Sequence, residues 1–148
     1  MTTLDGVYEP PVWDWVRNQV DRFEISNGLD GNCYQDNPQW PIVVITSLGA
    51  KSGKIRKSPV MRVEKDGVYA AVASRGGDPV NPTWYYNFLA NPEVDLQDKD
   101  VKHRYRARLA NDEERALWWE RAVKVYEPYS EYAEKTDRVI PIFLLERA

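Results

Sequence analysis

The sequence predicts a mainly β protein of the α+β class, in which an antiparallel sheet or small barrel carries helices at its periphery. Two short turns, Lys65-Asp66-Gly67 and Asp98-Lys99-Asp100, each separate two runs of strand-forming residues, and Asp-Gly in such a place is a strong hairpin signal. Short apolar runs at 41–47 and 138–147 are typical of further strands. Because neighbouring strands are joined by hairpins, an antiparallel sheet is favoured over a doubly wound one.

The first element is an amphipathic helix within residues 1–27. Its apolar residues recur at helical spacing and are Trp13, Val16, Val20 and Phe23. Asn27-Gly28 is a typical helix end. We expect this apolar stripe to pack on the core and to close a pocket. A membrane-surface or partner-binding helix is the alternative, although a polar face with charges of both signs disfavours the membrane.

The central elements follow in order after a loop rich in Gly, Asn, Asp and Pro at 28–41. A strand at 41–47 precedes a first hairpin at 58–74. Residues 83–92 form a short helix that ends at Asn91-Pro92, because the residue before a proline disfavours the helical conformation. A second hairpin occupies 93–109.

The C-terminal elements are a helix and a strand. Asn111 is a typical N-cap, and Glu114 three residues later completes a capping-box pattern. The residues expected to share one face of this helix are Ala116, Trp119, Val123 and Tyr126. Pro128 is predicted to end the helix. The final strand lies within 138–147, and Pro141 predicts an edge or a bulge there.

The composition is typical of one globular domain, which we expect over residues 1–148. Cys33 is the only cysteine and His103 the only histidine, so neither an internal disulfide nor a metal site is expected. No apolar run approaches the roughly 20 residues of a membrane span, and the first residues lack the pattern of a signal peptide. The sequence therefore predicts a cytoplasmic location, with peripheral contact at the inner face of the membrane through the N-terminal helix as the alternative.

A basic turn interrupts this acidic chain, whose formal net charge is −3. Its cations lie within seven positions and are Lys51, Lys54, Arg56 and Lys57. The three-residue spacing between Gly49 and Gly53 excludes a Walker A loop, and no dinucleotide GxGxxG motif is present. Glycine backbone N–H groups, the Ser52 hydroxyl and the cations suit an anion. A solvated hairpin turn is the alternative, and the acidic total argues against nucleic acid.

Three stretches together resemble the deazaflavin-dependent nitroreductase family, whose members are oxidoreductases that use coenzyme F420. They are "VVITSLGAKSGKIRKSPVM", "AVASRGGDPVNPTWYYNFLANPEV" and "VYEPYSEYAEKTDRVIPIFLLE". The resemblance runs from about residue 12 to the end of the sequence. It implies an antiparallel split β-barrel, like that of FMN-binding proteins, over 42–147 with inserted helices.

The resemblance also implies a set of site residues. Those expected to bind the coenzyme are Lys51, Ser52, Gly53, Lys54 and Arg56 at the phosphate and tail, and Ala73, Ser74, Arg75, Gly76, Trp84, Tyr85 and Asn87 near the ring. Those expected on the substrate side are Met61, Tyr126, Tyr129 and Tyr132. Of these, Ser74, Tyr129 and Tyr132 are the predicted catalytic residues, which orient the acceptor or supply its proton. Taken without the resemblance, the aromatic residues are predicted to be core residues and Ser74 a strand-end serine.

The activity implied is an F420H2-dependent reductase. Reduced deazaflavin passes a hydride to an electron-poor small molecule, namely a quinone, an activated enone or a nitroaromatic, while the protein orients the coenzyme. Two alternatives remain open at this point. One is a non-catalytic F420-binding or carrier protein, and the other is an FMN or haem protein of a related barrel. The sequence predicts no nucleic-acid partner and leaves the oligomeric state open.

Overall fold

The computed structural model describes residues 4–148, so the first three residues of the predicted 1–27 segment lie outside the described residues. Within this part of the chain, seven strands and four α-helices form. The strands are β1 Ile42–Leu48, β2 Ile55–Met61, β3 Val63–Lys65, β4 Val68–Val72, β5 Glu93–Asp98, β6 Val101–Leu109 and β7 Ile142–Arg147. The helices are α1 Asp14–Ile25, α2 Thr83–Ala90, α3 Asp112–Val125 and α4 Pro128–Lys135.

The strands form one antiparallel sheet in the order β2-β1-β5-β6-β7-β4-β3. The first and last strands of this order, β2 and β3, are separated in the chain by Arg62 alone. Both ends of the sheet therefore meet at Arg62, and the sheet must curl into a barrel. The Arg62 backbone N–H donates to the Pro41 carbonyl at 2.9 Å, which fixes this corner. The predicted antiparallel barrel is confirmed.

Strand β1 is buried on both faces, which explains its continuous apolar sequence. Successive side chains of a strand point to opposite faces. Val43 and Ile45 accordingly belong to the cluster inside the barrel, whereas Val44 contributes to a cluster outside it. Phe23 of α1 packs in that outer cluster and is fully buried. Helix α1 thus covers β1 from outside, as the prediction of core packing required.

Helices α3 and α4 cover another part of the barrel's outer face. The Asn111 side chain accepts from the Glu114 N–H at 2.9 Å and the Glu114 carboxylate accepts from the Asn111 N–H at 3.0 Å, so the predicted capping box is confirmed. Trp118 and Ala122 form the buried face of α3, whereas Ala116 is exposed. Trp119, Val123 and Tyr126 also pack in the same cluster of buried side chains, so the predicted α3 face is correct except at Ala116.

Both proline predictions need correction. Pro128 was expected to end a helix, but α3 ends at Val125 and Pro128 begins α4. Proline suits the first helical position because its missing N–H has no intrahelical partner there. Pro141 was expected to mark an edge or bulge, yet β7 lies between β6 and β4. The strand starts only at Ile142, so Pro141 withholds no ladder hydrogen bond, and its carbonyl accepts from the Ala73 N–H at 2.9 Å.

The prediction that the apolar stripe of α1 packs on the core is correct for half of its residues. Val20 and Phe23 are buried, but Trp13 is 66% exposed. Among the helices of residues 4–148, none combines the length and the apolar character that crossing a bilayer would need.

Candidate active site

An aromatic cavity of about 450 Å³ opens between α1, the 74–78 loop, the start of α2 and α4. Its aromatic lining residues are Trp13, Trp15, Tyr34, Trp84, Tyr126, Tyr129 and Tyr132. Its polar lining residues are Gln19, Ser74, Arg75 and Asp78. A cleft of this size with mostly aromatic walls and few polar groups is typical of a site for a planar small molecule.

A basic cavity of about 610 Å³ lies beside the basic turn. The turn contributes Gly49, Ala50, Lys51, Ser52 and Arg56 to its walls. The remaining lining residues are Glu9, Asn81, Thr83, Tyr86 and Asn87. Its cations and hydroxyls are the groups that bind phosphate or carboxylate oxygens.

The two cavities lie on either side of the start of α2. Pro82 and Trp84 line the aromatic cavity, whereas Asn81 and Thr83 line the basic cavity. One short segment therefore has a cavity on each side. This arrangement suits a single ligand that has a planar group at one end and anionic groups at the other.

The basic turn is held closed by its own backbone and by α2. The Gly49 N–H donates to the Lys54 carbonyl at 2.8 Å, and the Gly53 N–H donates to the Gly49 carbonyl at 3.0 Å. Gly53 has φ of +67°, a conformation that glycine adopts without strain. From α2, the buried Asn87 side chain accepts from the Ala50 N–H at 2.9 Å. Asn87 thus positions the turn from inside the fold.

The four cations of the turn separate in the structure. Arg56 Nη1 lies 2.8 Å from Glu9 Oε2, and Lys57 pairs with Glu24 of α1. Lys51 and Lys54 are exposed and form no ion pair with any residue from 4 to 148. Lys51 lines the basic cavity and Lys54 does not. Lys51 is therefore the cation most available to an incoming anion.

The loop after β4 adopts an unusual backbone conformation. Arg75, Gly76 and Gly77 have φ of +46°, +64° and +83° in succession. The left-handed conformation raises the free energy of Arg75, because its Cβ comes too close to the next carbonyl oxygen. Gly77 packs so closely on α4 that an added Cβ would lie 2.8 Å from the Tyr132 carbonyl oxygen. The Ser74 side chain is largely buried, and its hydroxyl forms no hydrogen bond with the described residues.

Three tyrosines form the opposite wall. The Tyr126 and Tyr132 hydroxyl oxygens are 2.8 Å apart and share a hydrogen bond. Burial, and then this bond, raises the pKa of Tyr126 well above its ordinary value, and burial raises the pKa of Tyr129 likewise. Both phenols therefore stay protonated at neutral pH. Tyr129 is only 4% exposed, so it reaches the cavity through a small part of its surface.

The structure brings most of the predicted site residues to one of the two cavities. Those on the aromatic cavity are Met61, Ser74, Arg75, Gly76, Trp84, Tyr126, Tyr129 and Tyr132. Those on the basic cavity are Lys51, Ser52, Arg56 and Asn87. Those that line neither are Gly53, Lys54, Ala73 and Tyr85. Tyr85 instead packs on Phe143, with ring centroids 5.5 Å apart.

Some lining residues were not predicted. Trp15 lies off the apolar stripe of α1, and a bulky aromatic on the polar face of a helix is a signal that could have identified it. Tyr86 likewise lies on the exposed side of α2. Glu9 carries no such signal, because its place in the basic cavity depends on a contact across 47 residues of sequence.

The barrel and its paired cavities define a class of protein, namely a barrel-fold binder of a planar ligand with an anionic extension. The model of the F420H2-dependent quinone reductase family matches residues 15–147. The chain belongs to that family.

Individual relatives agree with the family assignment. An F420H2-dependent quinone reductase of Mycobacterium tuberculosis is 30% identical over 125 residues, which cover 82% of this chain and 83% of the relative. A solved F420-H2 dependent reductase (FDR-A) is 55% identical with a TM-score of 0.69, over 72% of this chain and 94% of that one. A solved structure described as a domain-swapped dimer is 51% identical with a TM-score of 0.70, over 90% and 98%. The predicted split-barrel fold, oxidoreductase class and coenzyme F420 are confirmed.

Proposed function

We propose that this protein transfers a hydride from reduced coenzyme F420 to a quinone. The observation that carries the proposal is that residues 81–84 separate a basic cavity from an aromatic one and line both. Coenzyme F420 has a phosphate and glutamates at one end and a planar redox ring at the other. The residues present fit both ends of such a molecule.

The basic cavity is the proposed site for the phosphate and tail. Lys51, Ser52 and Arg56 would hold the anionic oxygens by charge-assisted hydrogen bonds. The Asn87 side-chain oxygen accepts from the Ala50 N–H, which leaves the Nδ2 amide as the group that would donate to an anionic oxygen. Lys54 and Gly53 remain proposed contributors at the outer side of the turn.

The aromatic cavity is the proposed site for the ring and the acceptor. Ser74, Arg75 and Gly76 would face the ring edge, and Trp84 would pack on it, whereas Ala73 and Tyr85 support these residues from the core. When bound, the coenzyme supplies the hydride and the protein supplies orientation and exclusion of water. The indole rings of Trp13 and Trp15 shield the side of the cavity that faces α1.

The tyrosine wall is the proposed acceptor side, together with Met61. A quinone that gains a hydride becomes an anionic hydroquinone and requires one proton. Neutral phenols are hydrogen-bond donors that stabilise such an anion. Since Tyr126 and Tyr132 use one hydroxyl hydrogen between themselves, the pair has one left to donate to the acceptor. Tyr129 and the unbonded hydroxyl of Ser74 are further donors, and solvent replaces the proton.

The test is a comparison of binding with turnover. Purified protein is titrated with F420 and with FMN, and reduced F420 and menadione are then added while the deazaflavin absorbance is followed. We expect F420 binding and recovery of the oxidised absorbance. Binding without oxidation would indicate a carrier, and tight FMN binding without F420 binding would indicate an FMN protein. A nitroaromatic and an enone in place of menadione define the acceptor range.

We also propose that the protein works in the cytoplasm, with α1 directed at the inner face of the membrane, where quinones are dissolved. The support is that Val12, Trp13 and Trp15 are exposed beside the aromatic cavity. Flotation with anionic and with neutral vesicles tests this. Recovery of the protein only in the lipid-free fraction would refute the contact of α1 with the membrane and would favour an enzyme that acts in the cytoplasm alone.

A further inference from the structure

Arg138 lies between α4 and β7 and uses every donor of its guanidinium on the loop across from it. Nη1 donates to the Ala73 carbonyl at 2.9 Å and to Asn81 Oδ1 at 2.7 Å. Nη2 donates to the Ser74 and Asp78 carbonyls, both at 2.9 Å. Nε donates to the Asp78 carbonyl at 3.1 Å. Five bonds match the five N–H donors of an arginine.

The loop that receives these bonds needs outside support. Its three consecutive left-handed residues include the non-glycine Arg75, and such conformations persist only where the surroundings impose them. Within the loop, the Gly77 N–H donates to the Ser74 carbonyl at 3.0 Å and the Asp78 N–H to the Arg75 carbonyl at 3.1 Å. The Ser74 and Asp78 carbonyls that bond Arg138 therefore lie on either side of the three left-handed residues, of which Arg75 is the strained one.

Arg138 also belongs to the segment that carries the tyrosine wall. It follows α4, which bears Tyr129 and Tyr132, by three residues. Its backbone N–H donates to the Thr136 hydroxyl at 3.2 Å, which holds the residue at the end of that helix. No carboxylate of residues 4–148 lies within ion-pair distance of its guanidinium, so its donors are directed wholly at the loop.

We infer that Arg138 is a positioning residue that sets the separation between the two walls of the aromatic cavity. It fixes the 73–78 loop relative to α4, and so places Ser74 and Gly76 opposite the tyrosines without touching the ligand. The expected effect of Arg138 on turnover rests on the proposed function. Its role in holding the 73–78 loop against α4 does not depend on that function.

The chain provides a matched control. Arg115 is also partly buried and donates to a backbone carbonyl of the same connection, that of Ile140, through Nε at 2.8 Å. It stacks on Trp119 and lines neither cavity. Lysine keeps the charge of either residue but has three donors and no planar fork. Arg138→Lys and Arg115→Lys therefore make the same chemical change at two places, although Arg115 donates one such bond and Arg138 five. Arg138→Gln removes the charge as well.

The first measurement is amide hydrogen exchange of the coenzyme-free protein. We expect the Gly77 and Asp78 amides to exchange at least about tenfold faster in Arg138→Lys, as the loss of one or more charge-assisted bonds implies. In Arg115→Lys they should stay close to wild type. Unchanged exchange of these two amides in Arg138→Lys would overturn the inference. So would global unfolding of both Arg138 variants beside a folded Arg115→Lys, because Arg138 would then hold the whole domain.

The second measurement is turnover with reduced F420 and menadione. We expect Arg138→Lys and Arg138→Gln to lower kcat by about tenfold or more. The coenzyme dissociation constant should change less, by about threefold, because Arg138 bonds only Asn81 of the basic cavity and leaves Lys51 and Arg56 in place. Arg115→Lys should retain its kcat. Equal kcat in the two lysine variants would refute the positioning role. A wild-type protein that binds no F420 would instead refute the proposed function and leave the exchange result standing.

Discussion

Arg56 Nη1 and Glu9 Oε2 are 2.8 Å apart at the wall of the basic cavity. The carboxylate of Glu9 thus occupies one of the anion positions that Arg56 offers. The preceding segment is fixed on β2, because the Ile55 N–H donates to the Val7 carbonyl at 2.8 Å and the Glu9 N–H to the Ile55 carbonyl at 2.9 Å. An anionic ligand has to compete with this residue.

Replacing Glu9 by Gln should tighten F420 binding. Partly exposed ion pairs of this kind contribute about 0.2–1 kcal/mol, so the dissociation constant should fall by a factor between about 1.4 and 5. Fluorescence titration at low and high salt measures this. Glu24→Gln is the control, because Glu24 pairs with Lys57 outside the cavity. Weaker binding in Glu9→Gln would show that Glu9 contacts the ligand directly instead of competing with it.

Lys51→Ala should weaken coenzyme binding more than it lowers the turnover of the coenzyme-bound protein. A charge-assisted hydrogen bond contributes roughly 1.5–3 kcal/mol, so the dissociation constant should rise about ten- to a hundredfold. Turnover at saturating coenzyme should stay near wild type. Lys54→Ala removes an equal charge from the outer side of the same turn, away from the cavity wall, and should weaken binding less than Lys51→Ala does. Equal effects of the two variants would mean that general screening, and no specific contact, binds the anion.

Tyr126→Phe and Tyr132→Phe should each lower kcat about tenfold or less. Each removes one hydroxyl of a hydrogen-bonded pair, whose net contribution is about 0.5–1.5 kcal/mol. The double variant should show clear non-additivity, since either change alone breaks the shared bond. A loss of 10²–10⁴-fold on one quinone would instead identify a general acid. Tyr129→Phe, made at a 4% exposed site, removes a further proposed donor that lies outside this pair, and should also lower kcat by about tenfold or less.

The activity should show no tyrosine titration around neutral pH. The pKa values of Tyr126 and Tyr129 are raised, chiefly by burial, so their phenols stay protonated as pH rises through the ordinary tyrosine range. Turnover measured from pH 6 to 9 in wild type and Tyr126→Phe should therefore give profiles of the same shape, since tyrosine pKa values start near 10. An alkaline limb that disappears in the phenylalanine variant would contradict this.

Acid should weaken the start of α3. Arg108 donates to both carboxylate oxygens of Glu114, at 2.8 and 2.7 Å, and these bonds lower the pKa of Glu114 from 4.5 to about 2. Because the folded state binds this proton more weakly than the unfolded chain does, the contribution to stability is present above about pH 4.5. It is lost as the pH falls through about 2.

Glu114→Gln isolates this charge effect, since glutamine still serves a capping box. The difference in urea midpoint between wild type and variant should be largest at neutral pH and shrink through that acid range. Glu113→Gln, one residue earlier and exposed, should show little difference at any pH. A midpoint difference for Glu114→Gln that does not vary with pH would refute the pairing.

The elements that sequence alone predicted correctly are those fixed by local chemistry. The 65–67 hairpin depends on Asp66 and Gly67, which have φ of +52° and +82° as the turn requires. The Asn111 capping box is likewise contained in four residues. The site was predictable in part because its residues follow family motifs.

The errors come from contacts that local sequence does not contain. Arg56 and Lys57 are adjacent and were treated as one cluster, but both lie on β2, so their side chains point to opposite faces. The predicted hairpin began at residue 58, whereas β2 begins at Ile55. A predicted strand that included Arg56 and Lys57 would have placed their side chains on opposite faces. The partner of Arg56, by contrast, lies at position 9, and the arginine that holds the 73–78 loop lies at position 138. Neither pairing has a sequence signal.

The place of β7 in the sheet has a consequence during synthesis. This strand follows all the others in the chain, yet it pairs with both β6 and β4. A nascent chain therefore displays two unpaired strand edges until residues 142–147 have left the ribosome. Such edges are sites of intermolecular pairing and aggregation. We infer that the barrel closes only after release of this segment, so that ribosome stalling before residue 142 should yield a protease-sensitive, chaperone-bound chain.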